Sequence, residues 1–305
     1  MRLFKPRAAY RTGRGGRGGG GSGVGLYAGS VVVDYYLGQT SEQPITLEFQ
    51  DAGGKTIRKF TSGGRARGRG QAVVTQNQGL NRFAWDMRYP DAHGINGGTF
   101  FLGGSLRGPQ AAPGEYKVKL TVGDQSATET FDIKKDPRVA TTAAQYKEQL
   151  ALALSARNKL SAADDAINQI REIQQQVTAA SKTAGENAAI TGAAHTLNER
   201  LDVVLHRLYE PRFTGFDDQT LIYPLQLNNR LAAMQSYLGG DYGPTAQDVA
   251  VFKELSGELN EQLASLTRVL NVDIPAFNAQ LKAAGIAPVH SSVNASSTAA
   301  AADLN

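Results

Sequence analysis

Two pairs of adjacent aspartates are, by residue type, the best candidates for acid–base chemistry in this 305-residue chain. They are Asp164–Asp165 and Asp217–Asp218. A glycosidase needs two carboxyl groups that face each other across a cleft. Neighbouring residues on a helix point about 100° apart, so Asp164 and Asp165 should not converge. Because Asp217 and Asp218 fall in a predicted loop after Phe216, we interpret both pairs as solvated charges and predict no catalytic residue.

The histidines do not have the spacing of a metal site. They are His93, His195, His206 and His290, and no two are four residues apart, the spacing that places two ligands on one helix face. His195 and His206 are eleven residues apart, about three helical turns, which is too far to share an ion. The chain has no cysteine, which excludes disulfides and thiolate metal sites. The sequence therefore predicts no metal ion and no cofactor.

Two Gly- and Arg-rich segments are the places where charge points to a binding partner. The first, Gly13–Gly25, is like an RGG element, which binds RNA through charge and arginine stacking. It contains two arginines, so we interpret it as a linker and keep nucleic-acid binding as an alternative. The second segment, residues 63–70, is a predicted partner contact. Its basic residues are Arg65, Arg67 and Arg69.

The net charge of +4 is unevenly distributed along the chain. Residues 1–25 contain six basic residues and no acidic one, and residues 289–305 contain one aspartate, so the body between them has a net charge of −1. The basic character thus belongs to the N-terminal segment and not to a binding face of the body. No stretch reaches about 18 consecutive apolar residues, so the sequence predicts no membrane-spanning helix.

The elements that must position these residues change character near residue 136. Residues 26–135 alternate between apolar and polar side chains, the period of half-buried strands. The clearest case is Leu80–Pro90, whose alternation places the single tryptophan, Trp85, in the core rather than against a sugar. About seven short strands with turn signals such as Asp51–Gly54 predict an antiparallel β-sandwich of immunoglobulin or fibronectin type.

Beyond Asp136–Val139 the apolar residues recur with a helical period. Four helices with short connections predict an antiparallel four-helix bundle, so the fold class is α+β with two domains. The predicted helices, in chain order, run from Thr141 or Thr142 to Ser181–Gly185, from about Ile190 to just before Pro211, from Pro224 to Gly239, and from Thr245 to Gly285 with a kink or restart at Pro275.

The predicted domains are a basic linker at 1–25, a β-sandwich at 26–135, a helical bundle at 136–288 and a low-complexity tail at 289–305. Leu3, Phe4 and Tyr10 are apolar residues on a segment without a domain of its own. We therefore predict that residues 1–12 lie against the sandwich or against a partner, while residues 13–25 act as a flexible tether. On this interpretation, loss of residues 1–12 affects association and leaves stability nearly unchanged.

Several short segments together resemble a known family. They are Leu3–Arg11, Val33–Leu37, Asn81–Pro90, Pro113–Tyr116, Asp136–Val139, Asp273–Asn278 and Ala283–Pro288. In this order they resemble the C-terminal region of large bacterial BNR-repeat proteins, whose β-propellers are similar to that of sortilin. Members of that family are often labelled glycosyl hydrolase or exo-sialidase. The resemblance covers nearly the whole chain.

The resemblance implies a β-propeller ahead of this region, and the chain has no propeller repeat. Met1 stands where the propeller would end, so we expect either a separately encoded tail of a split protein or a start inside a longer gene. The activity of a propeller cannot be carried over to these residues. The resemblance implies an extracellular or periplasmic location, although the N-terminus has no apolar core of a signal peptide.

The function that these observations favour is a non-catalytic structural or protein-interaction module. It would be a C-terminal appendage of a sortilin-like β-propeller protein, or a subunit of an extracellular assembly. One alternative is an accessory part of a sialidase-like glycoside hydrolase whose active site lies on a separate propeller. The other alternative is nucleic-acid binding through the Gly/Arg segment.

Overall fold

A computed structural model describes residues 1–12, 29–63, 73–98, 104–212 and 222–290. Within these ranges the chain forms eight strands and five α-helices, a mixed α+β fold. Several predictions fall on residues outside the described ranges. They concern the tether at 13–25, Arg65, Arg67, Arg69, Asp217, Asp218 and the tail beyond His290.

The chain divides into two compact units built from interleaved segments. The sheet unit comprises Met1–Pro90, Gly108–Ala151 and Gly239–Pro244, and the helical unit comprises Asp91–Arg107, Leu152–Leu238 and Thr245–Asn305. These boundaries differ from the predicted domains because packing, not chain order, sets them. Ala92 and Ile95, for example, lie before the last strands but are buried in the helical core.

The strands are β1 (Arg2–Leu3), β2 (Ala9–Arg11), β3 (Val31–Leu37), β4 (Ile45–Asp51), β5 (Thr56–Thr61), β6 (Gly79–Trp85), β7 (Gly114–Val122) and β8 (Gln125–Lys135). A three-stranded sheet has the order β1-β3-β6, and a five-stranded sheet has the order β2-β8-β7-β4-β5. All neighbours are antiparallel except β2 and β8, which are parallel. Buried side chains from both sheets form one hydrophobic core.

Trp85 is fully buried in this core, as the alternation of its strand predicts. Its ring stacks on Phe49 with 4.3 Å between centroids, and its Nε1 donates to the carbonyl oxygen of Arg88 at 3.2 Å. The predicted strand to Pro90 is too long, because Met87 has a left-handed backbone with φ of 57°. The Met87 side chain nevertheless stays buried.

Residues 1–12 are part of the sheet unit rather than a linker. The segment pairs with both sheets, since β1 lies beside β3 and β2 lies beside β8. Leu3 and Ala9 are buried in the shared core. Of the two surfaces that the sequence left open for this segment, the structure therefore places it on the chain's own sheets.

The helices are α1 (Ala143–Ala184), α2 (Ala188–Leu208), α3 (Leu227–Tyr237), α4 (Ala246–Arg268) and α5 (Ile274–Ala283). The last strand ends at Lys135 and α1 begins at Ala143, so the change of secondary structure falls where the apolar period changes. Thr142 caps α1, since its Oγ1 accepts from the Gln145 amide at 3.3 Å. No described helix is long and apolar enough to cross a membrane.

Two helix boundaries differ in detail from the prediction. Helix α3 starts at Leu227, three residues after the predicted Pro224. The predicted kink at Pro275 takes the form of a π-helical turn, Val269–Asp273, directly before α5. Proline has no N–H for a helical hydrogen bond, so a helix commonly changes its winding at such a residue.

Candidate functional site

A groove of about 2080 Å³ lies between α1 and α4 in the helical unit. One wall runs along α1 from Ser155 to Lys182, and the other runs from Val249 on α4 to Asn271 in the π-helical turn. At 1.5 Å per helical residue, the second wall is about 33 Å long. Typical small-molecule pockets measure about 300–1000 Å³. The dimensions of this α1–α4 groove therefore fit a polymer segment better than a small molecule.

The α4 wall carries an apolar seam, interrupted by Ser256, whose residues are alternately three and four positions apart. The seam consists of Val249, Phe252, Ser256, Leu259, Leu263, Leu266 and Leu270. All of these residues except Leu259 line the groove. This spacing is that of the a and d positions of a coiled coil, which keep one helix face toward a partner helix.

The seam is anchored in the core but incompletely covered by the described residues. Leu259 and Leu266 are buried, whereas Phe252 and Leu263 are only partly buried against the core. Val249 at the N-terminal end is 51% exposed. Exposed and partly exposed apolar side chains grouped in a groove are typical of a surface that binds another macromolecule.

The α1 wall is made of small and polar side chains. Ser155, Ala162 and Ala166 leave space in the groove. Lys159 links the two walls, since its Nζ donates to the Asn260 Oδ1 at 2.7 Å. Partial burial lowers the pKa of Lys159.

The charges that line the groove are predominantly basic. Four basic residues and two acidic residues contribute to the lining. They are Lys159, Arg171, Lys182, Lys253, Asp165 and Glu172. One of the acids is already engaged, because the Asp165 Oδ2 lies 2.8 Å from the His93 Nδ1. The groove thus presents an apolar seam beside a net positive lining.

The two carboxyl groups of Asp164 and Asp165 do not converge. Asp165 lies at the edge of the groove beside His93, whereas Asp164 is fully buried inside the helical unit. The prediction that both are solvated is therefore wrong for Asp164. Its position was readable from the sequence, since it follows Leu160 by four residues and precedes Ile167 by three, on the buried face of α1.

Burial raises the pKa of Asp164 to about 8, against an opposing effect of the Asn228 side chain. Asn228 is also fully buried, yet no hydrogen bond of normal geometry joins the two side chains in the described structure. The nearby Asp165 carboxylate raises the pKa further. At neutral pH Asp164 is therefore mainly a neutral acid, which suits a core position where the described residues offer its carboxyl group no hydrogen bond.

The histidines lie apart, and each has its own local contact. His195 faces Glu199 with 3.4 Å between Nδ1 and Oε2, the His206 Nδ1 is 2.8 Å from the Asp202 carbonyl oxygen, and the His290 amide donates to Gln176. The His93 backbone amide donates to the Ser161 Oγ, and the Ser161 hydroxyl donates to the Arg157 carbonyl oxygen. Ser161 and His93 therefore do not form the hydroxyl–imidazole hydrogen bond of a nucleophile and its base. Within the described part of the chain, no three potential ligands are grouped so as to hold a metal ion.

The predicted partner contacts at the N-terminus have different environments. Leu3 is a core residue and is not available to a partner. Phe4 is half-buried, and the guanidinium of Arg2 lies 5.1 Å from its ring centroid. Tyr10 is 49% exposed. Partner binding by Phe4 and Tyr10 stays a prediction.

A buried arginine in the same segment was not foreseen from the sequence. Arg11 is 1% exposed, and its Nε lies 3.1 Å from the Asp241 Oδ1. Its guanidinium also donates to the Gln149 Oε1 at 2.8 Å and lies 4.7 Å from the centroid of the Tyr146 ring. Burial lowers the pKa of Arg11, and the Asp241 carboxylate opposes this. In the sequence Arg11 looks like one more charge of a basic tail.

A scan against protein-family models finds no match for this chain, and a search of the curated proteins finds none either. The functional interpretation therefore rests on the groove and its chemistry. The relationship to BNR-repeat proteins stays an expectation from the sequence.

Proposed function

We propose that this chain is a non-catalytic protein-interaction module whose α1–α4 groove binds a segment of another protein. The observation that carries the proposal is the apolar seam of α4. Its residues are anchored in the helical core at Leu259 and Leu266, and they continue into the groove at Phe252 and Leu263. A partner that covers the groove would remove this apolar surface from water, which is the main favourable term in protein association.

We further propose that the two sheets form an immunoglobulin-like β-sandwich and that the helices form an antiparallel four-helix bundle. The shared core of two mostly antiparallel sheets supports the first assignment. The second is supported by the short connection of three residues between α1 and α2, which is typical of antiparallel neighbours.

The proposed partner is a β-propeller protein or another subunit of an extracellular assembly. The order of the short segments from Leu3 to Pro288 supports this choice, because it resembles the region that follows the propeller in BNR-repeat proteins. In this arrangement any catalysis belongs to the partner. The separate surroundings of Asp164 and Asp165 agree with a module that binds and does not hydrolyse.

Photo-crosslinking tests the proposal. A benzoylphenylalanine in place of Phe252 puts a reactive group in the groove, and the same residue in place of Val203 is the control. Val203 is 69% exposed on α2 and lies outside the groove. In cells that produce the chain, we expect a defined protein to be crosslinked from position 252 and not from 203. Identical products from both positions would refute the groove as the binding site.

A further inference from the structure

The α1–α4 groove also carries information on the kind of segment that it binds. We infer, on the basis of the proposed function, that the ligand is an amphipathic α-helix of a partner protein with an apolar heptad stripe and acidic flanks. The spacing of the seam residues indicates that the ligand is a helix, and the charges that line the groove indicate that its flanks are acidic.

The spacing of the seam favours a helix over an extended peptide. Side chains of an extended segment alternate with a period of two, whereas a helix presents side chains at three- and four-residue intervals. The seam from Val249 to Leu270 repeats at those intervals over six steps. A partner helix with the same repeat would place its side chains between those of the uncovered seam residues.

The polar groups of the groove also favour a helical ligand. An extended peptide needs partners for its free backbone N–H and C=O groups, whereas a helix satisfies them internally. Several amides that line the groove are already used: Asn168 binds the Gly94 carbonyl oxygen and the Asn96 amide, and Gln174 binds the Asp202 carboxylate. The groove therefore suits a ligand that brings apolar side chains rather than an unpaired backbone.

The length of the seam sets the size of the helix. From Val249 to Leu270 the helix axis advances about 32 Å, which is about six turns or three heptads. A helix with its side chains is about 10–12 Å wide. A partner helix of about 20 residues would thus cover the whole seam.

Acidic flanks follow from the charges beside the seam. Lys253 directly follows the seam residue Phe252, and Lys159 and Lys182 lie on the opposite wall. Charges that flank an apolar seam decide which helices pair, because opposite charges attract and like charges repel across the contact. A helix with glutamates beside its apolar stripe matches this lining, and one with lysines does not.

Two designed peptides test the inference. Both have 21 residues with leucine at the a and d positions; one has glutamate at e and g, and the other has lysine there. Like charges at e and g discourage self-association of either peptide. Each is labelled with fluorescein at nanomolar concentration and titrated with the full chain, and anisotropy gives the Kd. We expect the glutamate peptide to bind at least tenfold more tightly than the lysine peptide.

Substitutions in the seam locate the binding. Leu263→Asp should weaken binding of the glutamate peptide at least tenfold, and Val249→Asp should act in the same direction at an exposed position that tolerates a polar residue. Lys253→Glu should reduce the ratio of the two Kd values, because it removes a positive charge beside the seam and adds a negative one. Val203→Asp is the matched control and should change neither Kd.

Other occupants of the groove would give different results. Equal affinity for both peptides, or full affinity in both seam variants, would overturn the inference. Self-association that Val249→Asp abolishes, without peptide binding, would identify a second copy as the ligand. Binding that appears only in a chain ending at His290 would identify the chain's own tail. A crosslink from position 252 to a partner segment without a heptad stripe would leave the proposed function intact and refute only the helix.

Discussion

At the scale of single residues, Asp164 links the stability of the helical unit to pH. Its pKa in the folded chain is about 8, whereas the pKa of an aspartate in an unfolded chain is about 3.9. Between these values the folded state keeps a proton that the unfolded state releases. The contribution of Asp164 to the free energy of unfolding is therefore fully present below about pH 4, falls as the pH rises, and is lost above about pH 8.

Asp164→Asn should remove this pH dependence, since an amide has the same shape and does not ionise. We expect the urea midpoint of the unmodified chain to decrease as the pH is raised from 5 to 8. The free energy of unfolding should decrease by up to about 1.4 kcal/mol per pH unit over this range. The midpoint of the variant should stay nearly constant over that range. Asp165→Asn, which alters the partly buried neighbour, should keep most of the slope, because burial and not the Asp165 charge is the main cause of the raised pKa of Asp164. Parallel curves for all three proteins would contradict the prediction.

Arg11 is the second residue whose environment makes a clear prediction. Its replacement by alanine leaves the Asp241 carboxylate and the Gln149 amide without their shared partner. Removal of one member of a buried ion pair typically costs about 3–5 kcal/mol. We expect Arg11→Ala to lower the free energy of unfolding by roughly 3 kcal/mol, measured by urea denaturation. Arg7→Ala, at an exposed position of the same segment, should have almost no effect.

At the scale of elements, the N-terminal segment is the clearest departure from the sequence interpretation. The apolar residues of 1–12 pointed to a surface contact, but no local pattern indicated that β1 and β2 would join different sheets. Such short strands carry too few residues for a readable period. Their pairing depends on β3 and β8, which are distant in the sequence.

Deletion of residues 1–12 should therefore destabilise the chain, contrary to the expectation from the sequence alone. The deletion removes two buried apolar residues, Leu3 and Ala9, together with the ion pair of Arg11. We expect the Tm to fall by roughly 10 °C or more in differential scanning calorimetry. Tyr10→Ser, at an exposed position of the same segment, should leave the Tm within about 1 °C. An unchanged Tm after the deletion would show that the strands contribute little.

Longer elements were predictable because their periods extend over many residues. The strand Val31–Leu37 and the helix boundaries near Gly185 and Thr245 agree with the prediction, since turn and cap residues mark them. The strand before Pro90 was overextended, because the alternation of buried side chains continues past the point where Met87 takes a left-handed backbone. The alternation of apolar and polar residues indicates which side chains are buried, but it does not indicate every point at which the backbone leaves the strand conformation.

At the scale of the whole molecule, the groove could be predicted only in part. The seam on α4 is readable as a heptad pattern, but a sequence does not show which of its apolar faces neighbouring helices will cover. Arg11 was misjudged for the same reason, because charged residues are usually exposed and only tertiary packing identifies this exception. Asp164, in contrast, could have been placed from its position on the buried face of α1. Packing also decides the interleaved boundaries of the two units.

The interleaving leads to a last prediction, on a fragment cut where the secondary structure changes. A chain of residues 1–140 keeps all eight strands but loses Tyr146, Gln149 and Asp241, which surround Arg11 in the sheet unit. The fragment therefore loses the ion pair and the hydrogen bond that hold Arg11, and the guanidinium is open to water on the side that these residues cover.

We therefore expect the fragment 1–140 to unfold at a lower urea concentration than the sheet unit of the full chain, as followed by Trp85 fluorescence. Arg11→Met in the fragment should change the urea midpoint little, because the arginine no longer has its ion pair and hydrogen bond there. In the full chain the same substitution should destabilise, because it leaves the Asp241 carboxylate without its ion-pair partner. If Arg11→Met lowers the urea midpoint of both proteins equally, the segments around Arg11 do not act as one structural unit.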